Sequence, residues 1–171
     1  IRSTSPLLEI RGLVKNYQAL RPLRMQALTV AAGDLTSVSG LDAVAAETFV
    51  HLVTGATLPD AGDVALFGHN TNAITDGDAW LKSLDGIGMV TSRGILIEMF
   101  TALQNIAMSF TLEVDPIDPA VVPHAEALAR EVGLDPADLH VPAGKLPPQS
   151  QMRIHVARAL ALGPRLLIAE H

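Results

Sequence analysis

The chain has 171 residues, no cysteine, a formal charge of −6 and a pI near 5.4. That length suffices for one domain with a real core, or a core with a small lobe. The missing thiols exclude disulfides, thiolate metal sites and thiol catalysis, and the acidic balance argues against DNA or RNA as a partner. Mean hydropathy is +0.32, yet no apolar run approaches the ~20 residues that span a bilayer, so no direct membrane insertion is expected.

Residues 1–6 read as a disordered tip. Leu7 to Val14 alternates partially, as an exposed or edge strand does. Tyr17, the only tyrosine, follows Lys15 and Asn16. Met25 to Val30 predicts a second strand and Ala32-Gly33-Asp34 a turn. Leu35, Ser37 and Val38 form a short apolar run that Gly40 breaks. Phe49, Leu52 and Val53 then recur at helical spacing, with Gly55 placed to end the helix in a left-handed conformation. Thr57 to Asp63 is turn-rich, with Asp60 and Asp63 as turn formers. Val64 to Phe67 reads as a strand closed by Gly68, Asp76 to Leu84 as a short helix, and Ile87 to Val90 as a buried strand.

The stretch from Ile95 to Leu162 is mostly helical. Thr101 is placed to cap a helix through Ala107 and Phe110. Val121, Ala125, Leu128 and Val132 form one apolar stripe, and Gly133 stops that helix. Asp135-Pro136 starts a short helical turn. Pro148 opens another helix, with Met152, Val156, Ala159 and Leu160 predicted to face inward and Gly163-Pro164 as the stop. Arg165 to Ala169 is a final apolar strand. The order predicts an α/β core with an inserted helical lobe. In it, Leu35–Ser39 and Leu166–Ala169 are expected as parallel strands of one buried sheet.

Asp34 to Gly55 has the strand–loop–helix layout with which P-loop proteins hold phosphate, on loop N–H groups and the helix dipole. The pattern G-x-x-G-x-G-K-[ST]-T falls on Gly40, Leu41, Asp42, Ala43, Val44, Ala45, Ala46, Glu47 and Thr48. Read alone, the segment is a strand packed on an Ala-rich helix. Other landmarks lie in register with it. They are Tyr17 ahead of the loop, Pro59 and Gly62, Phe67-Gly68, and Ile87-Gly88-Met89-Val90-Thr91-Ser92. Further along stand Thr101-Ala102-Leu103-Gln104-Asn105-Ile106, Leu146 to Leu160, and Pro164 to Glu170. In this order and spacing the chain resembles the nucleotide-binding domain of ATP-binding cassette (ABC) transporters, from about Leu7 to His171. Arg153 with Val156-Ala157-Arg158-Ala159-Leu160, on the segment L-S-G-G-Q-x-Q-R-x-x-I-A-R-A-L, is the most specific run.

The resemblance implies a P-loop NTPase-like core with a parallel sheet, N-terminal antiparallel strands and an inserted helical lobe. As one ABC-type domain the chain would have its core at residues 1–92 and 163–171 and its lobe at about 93–162. Starting without Met and stopping at the Walker B position, it is expected to be a fragment or a trimmed chain. ATP and Mg are the implied ligands. Tyr17 corresponds to the adenine-stacking aromatic, though by itself it reads as a packing or turn tyrosine. Residues 40–48 correspond to Walker A, Ser92 to the Q-loop glutamine, and Glu170 to the Walker B acid. His171 stands where the general-base glutamate would be; a neutral imidazole can accept a proton, but a His beside a strand is otherwise incidental. The remaining histidines, His51, His69, His124, His140 and His155, show no ligand spacing, and no metal site is expected from them.

The departures fall on the chemical residues. Ala46 replaces the phosphate-binding lysine, Glu47 the magnesium-holding hydroxyl, and Ala43 and Ala45 two glycines. No Lys or Arg lies between Arg24 and Lys82 to replace the missing charge. Ser92 replaces the Q-loop glutamine. Pro147 and Pro148 replace the serine and first glycine of the signature, and proline has no N–H to offer a phosphate. Binding of Mg-ATP is therefore expected to be weak or absent, and hydrolysis by this chain alone is not expected. Thr48 and a bare helix N-terminus would leave weak anion binding.

The reading is a degenerate subunit, structural or regulatory, beside an active ABC ATPase partner and a membrane permease. It would be cytoplasmic and peripheral at the inner face of the cell membrane through that permease. In the family the segment after the Q-loop receives the permease's coupling helix, here Ile95, Leu96, Ile97, Met99 and Phe100. The alternatives are a conventional ATP-hydrolysing subunit and a nucleotide-free scaffold of the same fold.

Overall fold

The computed structural model describes residues 5–91 and 94–170, in two units that meet in sequence between Leu84 and Asp85. The first unit is built on an antiparallel sheet of β1 (Leu8–Lys15), β2 (Leu23–Val30), β3 (Ala61–Leu66) and β4 (His69–Asn70), in the order β2-β1-β3-β4. β1 is paired on both sides, Leu8 with Val30 and with Leu66. The expectation of an exposed or edge strand is therefore corrected. Leu8, Ile10 and Leu13 are all buried; their alternation reports one covered face and cannot report whether both backbone edges find partners.

Helix α1 (Ala43–Val53) buries Ala45, Thr48, Val50, Leu52 and Val53, while Phe49 is only half-buried. Gly55 ends it with φ +70°, as expected. A Cβ at Gly55 would sit 3.0 Å from the Trp80 ring, whose Nε1 donates to the Thr54 carbonyl at 3.0 Å. Glycine is thus required there by both conformation and space. Trp80 lies on α2 (Gly77–Ser83), capped by Asp76 as its sequence suggests.

Leu35–Ser39 is not a strand. After a turn in which Asp34 Oδ2 accepts from Ala31 N at 2.8 Å, residues 34–40 run exposed, and Leu35 is 102% exposed. The segment joins no ladder among the described residues. An apolar run forms a strand only where a neighbouring edge offers N–H and C=O partners; without one its backbone stays hydrated.

In the second unit β5 (Ile87–Val90) and β6 (Leu166–Ala169) form a parallel pair. Leu166–Ala169 is a parallel strand as expected, but its partner is β5, and it is not fully buried: Leu166 and Ile168 are half-buried while Leu167 and Ala169 are exposed. At Gly88 a Cβ would meet the Ala159 carbonyl oxygen at the end of α5, so the missing side chain lets helix and strand approach closely. The helices are α3 (Ala102–Ala107), α4 (Val122–Glu131) and α5 (Pro148–Leu160). Their core joins Leu103, Ile106, Ala125, Ala129, Ile154 and Ala157; the alanines let helix axes come close.

Thr101 caps α3 in a reciprocal box with Gln104, and Gly133 follows α4 in the left-handed region. Phe110 lies beyond α3. On α5 the buried positions are Ser150, Ile154 and Ala157. Met152, expected inside, is 50% exposed, and Val156, Ala159 and Leu160 are half-buried. The buried stripe is therefore rotated from the one predicted, because the face turned toward α3 and α4 decides it. Residues 1–4, Ser92 and His171 lie outside the described residues, so the expected N-terminal tip is described only at Ser5 and Pro6.

Candidate functional site

The first site element is the N-terminus of α1. Gly40 has φ +83° with open space around it, and Leu41 is half-buried. The helix then begins at Ala43, three positions before Ala46. Alanine is the best helix former, and a run containing Ala43, Ala45 and Ala46 draws the helix into the span that would otherwise be phosphate loop. Asp42 is its N-cap: its Oδ1 accepts from Ala45 N at 2.8 Å, and its carbonyl accepts from Ala46 N at 2.8 Å. The N-terminus is not bare, as the sequence suggested, but carries a carboxylate of its own. Asp42, Ala43 and Val44 are exposed.

The side chains that follow are also engaged. Thr48 Oγ1 donates to the Val44 carbonyl at 2.7 Å and is buried. Glu47 Oε1 lies 3.9 Å from His51 Nε2, one helical turn on. Asp42 is exposed and Glu47 half-buried, so each carboxylate would repel an anion about 4 Å away by roughly 1–4 kcal/mol, between the bulk-water and near-surface values.

Tyr17 belongs to the same unit and is half-buried, its carbonyl accepting from Ala19 N at 2.6 Å. The neighbouring residues are fixed by Asp60. That carboxylate accepts from Lys15 Nζ (3.0 Å), Asn16 N (2.7 Å) and Asn16 Nδ2 (3.0 Å). These bonds, led by the Asn16 N–H and the Lys15 ammonium, hold the Asp60 carboxyl below its ordinary pKa. Asp60 thus ties the chain ahead of Tyr17 to the turn before β3, a role beyond turn formation.

The second unit carries the other site positions. Pro147 is the N-cap of α5, without a side-chain cap, and Pro148 is its first residue. The Ser150 and Gln151 N–H groups both donate to the Pro147 carbonyl, at 2.9 and 3.1 Å. Ser150 Oγ donates to Asp138 Oδ2 at 2.8 Å, and Gln151 Nε2 reaches the Ala143 and Leu146 carbonyls at 3.0 and 3.1 Å. The polar residues of this segment are thus turned onto their own loop, while Arg153 is exposed. Glu170 is half-buried just past β6, its N–H donating to the Val90 carbonyl at 2.8 Å. Ser92 and His171 lie outside the described residues. Among the described residues no His/Asp/Glu group of three or more is placed to hold a metal ion, and no helix is long and apolar enough to cross a membrane.

Two structural features of these segments went unread in the sequence. One is the Asp42 cap, for which the signal existed: an Asp directly before an alanine run is an N-cap pattern. The other is Asn105, fully buried and bonded to the backbone at Ile97, Phe100 and Thr101. Its role has no local signature, since the acceptors precede its helix.

No protein-family model matches the chain. The lipoprotein-releasing system ATP-binding protein LolD of Anaeromyxobacter dehalogenans is 34% identical over 171 residues, covering 97% of this chain and 71% of that protein. The Fe(3+) ions import ATP-binding protein FbpC of Serratia marcescens is 33% identical over 164 residues, 95% of this chain but only 46% of that protein. Among solved structures, cbiO1 of Clostridium perfringens, described as part of the ABC transporter complex cbiONQ, superposes with a TM-score of 0.74 at 18% identity. That match covers 97% of this chain and 65% of cbiO1, and at this identity it shows the fold.

Proposed function

The chain belongs to the ATP-binding cassette family of ABC transporters, and on that premise we propose that it is a degenerate member, structural or regulatory beside an active ATPase subunit. The observation that carries this is the Asp42 carboxylate seated on Ala45 N at the start of α1. A P-loop binds nucleotide by leaving such N–H groups open to phosphate and adding a lysine. Here an internal anion holds the donor, the lysine position is Ala46, and Glu47 adds a further carboxylate. Catalysis in this family rests on electrostatic stabilisation of the transferred phosphoryl group, and the loss of one such donor commonly lowers rate ~10²-fold or more. Magnesium would need the hydroxyl whose place Glu47 takes; Thr48 Oγ1 is bonded within the helix. The residues present do not fit Mg-ATP.

Calorimetric titration with Mg-ATP tests this reading. The chain is expected to show no tight magnesium-dependent binding. The pair Ala46→Lys with Glu47→Ser should give little gain, because the residues around it are already helical and capped. Adding Asp42→Ala, Ala43→Gly and Ala45→Gly should raise the affinity at least about tenfold, by removing the cap that holds the Ala45 N–H and freeing the loop. Tight binding by the unaltered chain would instead favour a conventional ATP-binding subunit, the reading suggested by the names of its relatives.

The proposed partners are a membrane permease and a second ABC ATPase subunit, which would hold the chain at the inner face of the cell membrane. The docking segment is 95–100. Ile95 and Met99 are 79% and 80% exposed, and Leu96, Ile97 and Phe100 are half-buried. Five large apolar side chains, none fully covered, suit a surface that is buried on assembly. Co-expression with the permease, followed by affinity purification, tests the partnership.

A further inference from the structure

The chain is acidic as a whole, but its first hairpin is not. From Ile10 to Gly33 it contains four cations, Arg11, Lys15, Arg21 and Arg24, and none of its 18 carboxylates. Two of these cations are neutralised within the fold. Arg11 pairs with Glu9 at 2.6 Å, and Lys15 with Asp60 at 3.0 Å. Arg21 and Arg24 are exposed and form no ion pair among the described residues. The loop 16–22 between β1 and β2 also carries Leu20, which is 105% exposed. This loop is anchored at its base. Lys15 is in register with Leu23, Lys15 Nζ donates to the Leu58 carbonyl at 2.7 Å, and Asn16 is held by Asp60. Leu20 therefore projects from a fixed hairpin end, with Arg21 next to it and Arg24 at the start of β2.

We propose that this hairpin end docks on an anionic phospholipid surface, with Leu20 in the headgroup layer and Arg21 and Arg24 on lipid phosphates. Lipid fits better than a folded partner. A stable protein contact covers about 800 Å² on each side, and one leucine on a loop offers a fraction of that. A bilayer needs no shaped pocket. It accepts a lone apolar side chain at any lateral position, and a guanidinium pairs bidentately with phosphate oxygens. Nucleic acid shares the phosphate chemistry but would leave Leu20 uncovered. The rest of the chain carries the negative charge and is repelled by the same surface, so the field turns the hairpin end toward the lipid. Each guanidinium near such a surface strengthens binding about fivefold. The contact is therefore weak alone and acts as a second anchor beside any protein tether. It depends on neither the nucleotide reading nor the permease partnership.

The cysteine-free sequence allows a single environment-sensitive fluorophore on Ala19→Cys, an exposed loop position, with Leu162→Cys in the second unit as a control. Phosphatidylglycerol vesicles should shift the Ala19 probe toward a less polar signal and leave the control unchanged. Phosphatidylcholine vesicles should bind at least about tenfold more weakly. Affinity for the anionic vesicles should fall at least about tenfold between about 50 and 300 mM salt, as the charges are screened. Arg21→Glu with Arg24→Glu should weaken binding at least about tenfold, and Leu20→Ser at least about threefold, with the urea midpoint unchanged in both. No response to phosphatidylglycerol, equal binding of the two lipids, or an unchanged affinity in the arginine double variant would each overturn the proposal. So would an equal shift with single-stranded DNA or polyglutamate, which would mark a general polyanion site. A probe shift that grows with protein concentration without vesicles would assign the surface to a second copy instead. Vesicle binding without permease co-purification removes the partnership and leaves the lipid contact standing; co-purification without vesicle binding does the reverse.

Discussion

Asn105 has no exposed surface, and its amide holds one short piece of chain. Its Oδ1 accepts from Ile97 N at 2.9 Å, while Nδ2 lies within bonding reach of the Ile97, Phe100 and Thr101 carbonyls at 3.1, 3.2 and 3.0 Å. Removing it strands several backbone groups at once, so Asn105→Ala should lower unfolding free energy by about 2–4 kcal/mol. Asn105→Asp should be no better, because it points acceptors at acceptors. Urea denaturation of both variants checks this. His155 is a second informative residue. Burial, and then the nearby Arg158 charge, lower its pKa below the ordinary 6.5. Its folded pKa being depressed, His155 contributes stability that is present above about pH 6.5 and is lost as pH falls through the folded value. The urea midpoint should therefore drop between neutral pH and about pH 5.5, and His155→Gln should flatten that part of the profile. A profile unchanged by the substitution would assign the pH dependence to other groups.

At the scale of elements, α1 and α5 show how neighbours override pattern. The α1 sequence has the spacing of a phosphate loop, but its alanines and Asp42 favour a capped helix. α5 has apolar residues on more than one side, and its packing partners choose Ile154 over Met152. Ile154 is fully buried whereas Met152 is half exposed. Ile154→Ala should thus cost about 2–5 kcal/mol through lost transfer energy and a cavity, and Met152→Ala within about 1 kcal/mol. Equal effects in urea melts would mean that the helix is rotated from the orientation described.

At the scale of the whole molecule, assembly with a permease is the property to test. Ile95→Asp with Met99→Asp introduces charge at two exposed positions and should leave the urea midpoint nearly unchanged, as surface substitutions do within about 0.5 kcal/mol. It should reduce recovery of the chain with a co-expressed permease at least about tenfold if these side chains sit in the centre of the contact. Normal recovery would move the interface away from segment 95–100. The chain spans 46% of FbpC but 71% of LolD, so such experiments are best made in the full native assembly.

Helix starts and stops were legible from the residues alone. Asp76, Thr101 and Asp135 cap the elements they precede, and Gly55, Gly133 and Gly163 lie in the left-handed region. These features depend on contacts within a few residues, so local spacing is enough to read them. The order of landmarks likewise carried the family and the parallel strand at Leu166–Ala169. Three features were settled only in three dimensions: two-sided pairing of β1, the failure of Leu35–Ser39 to join a sheet, and the backbone clamp at Asn105. Each depends on whether a hydrogen-bonding partner lies alongside, and for the sheet that partner is tens of residues away in sequence. Hydrophobic periodicity encodes which face of an element is covered, but the backbone edges carry the same N–H and C=O groups in almost every residue, so their pairing is decided by tertiary structure.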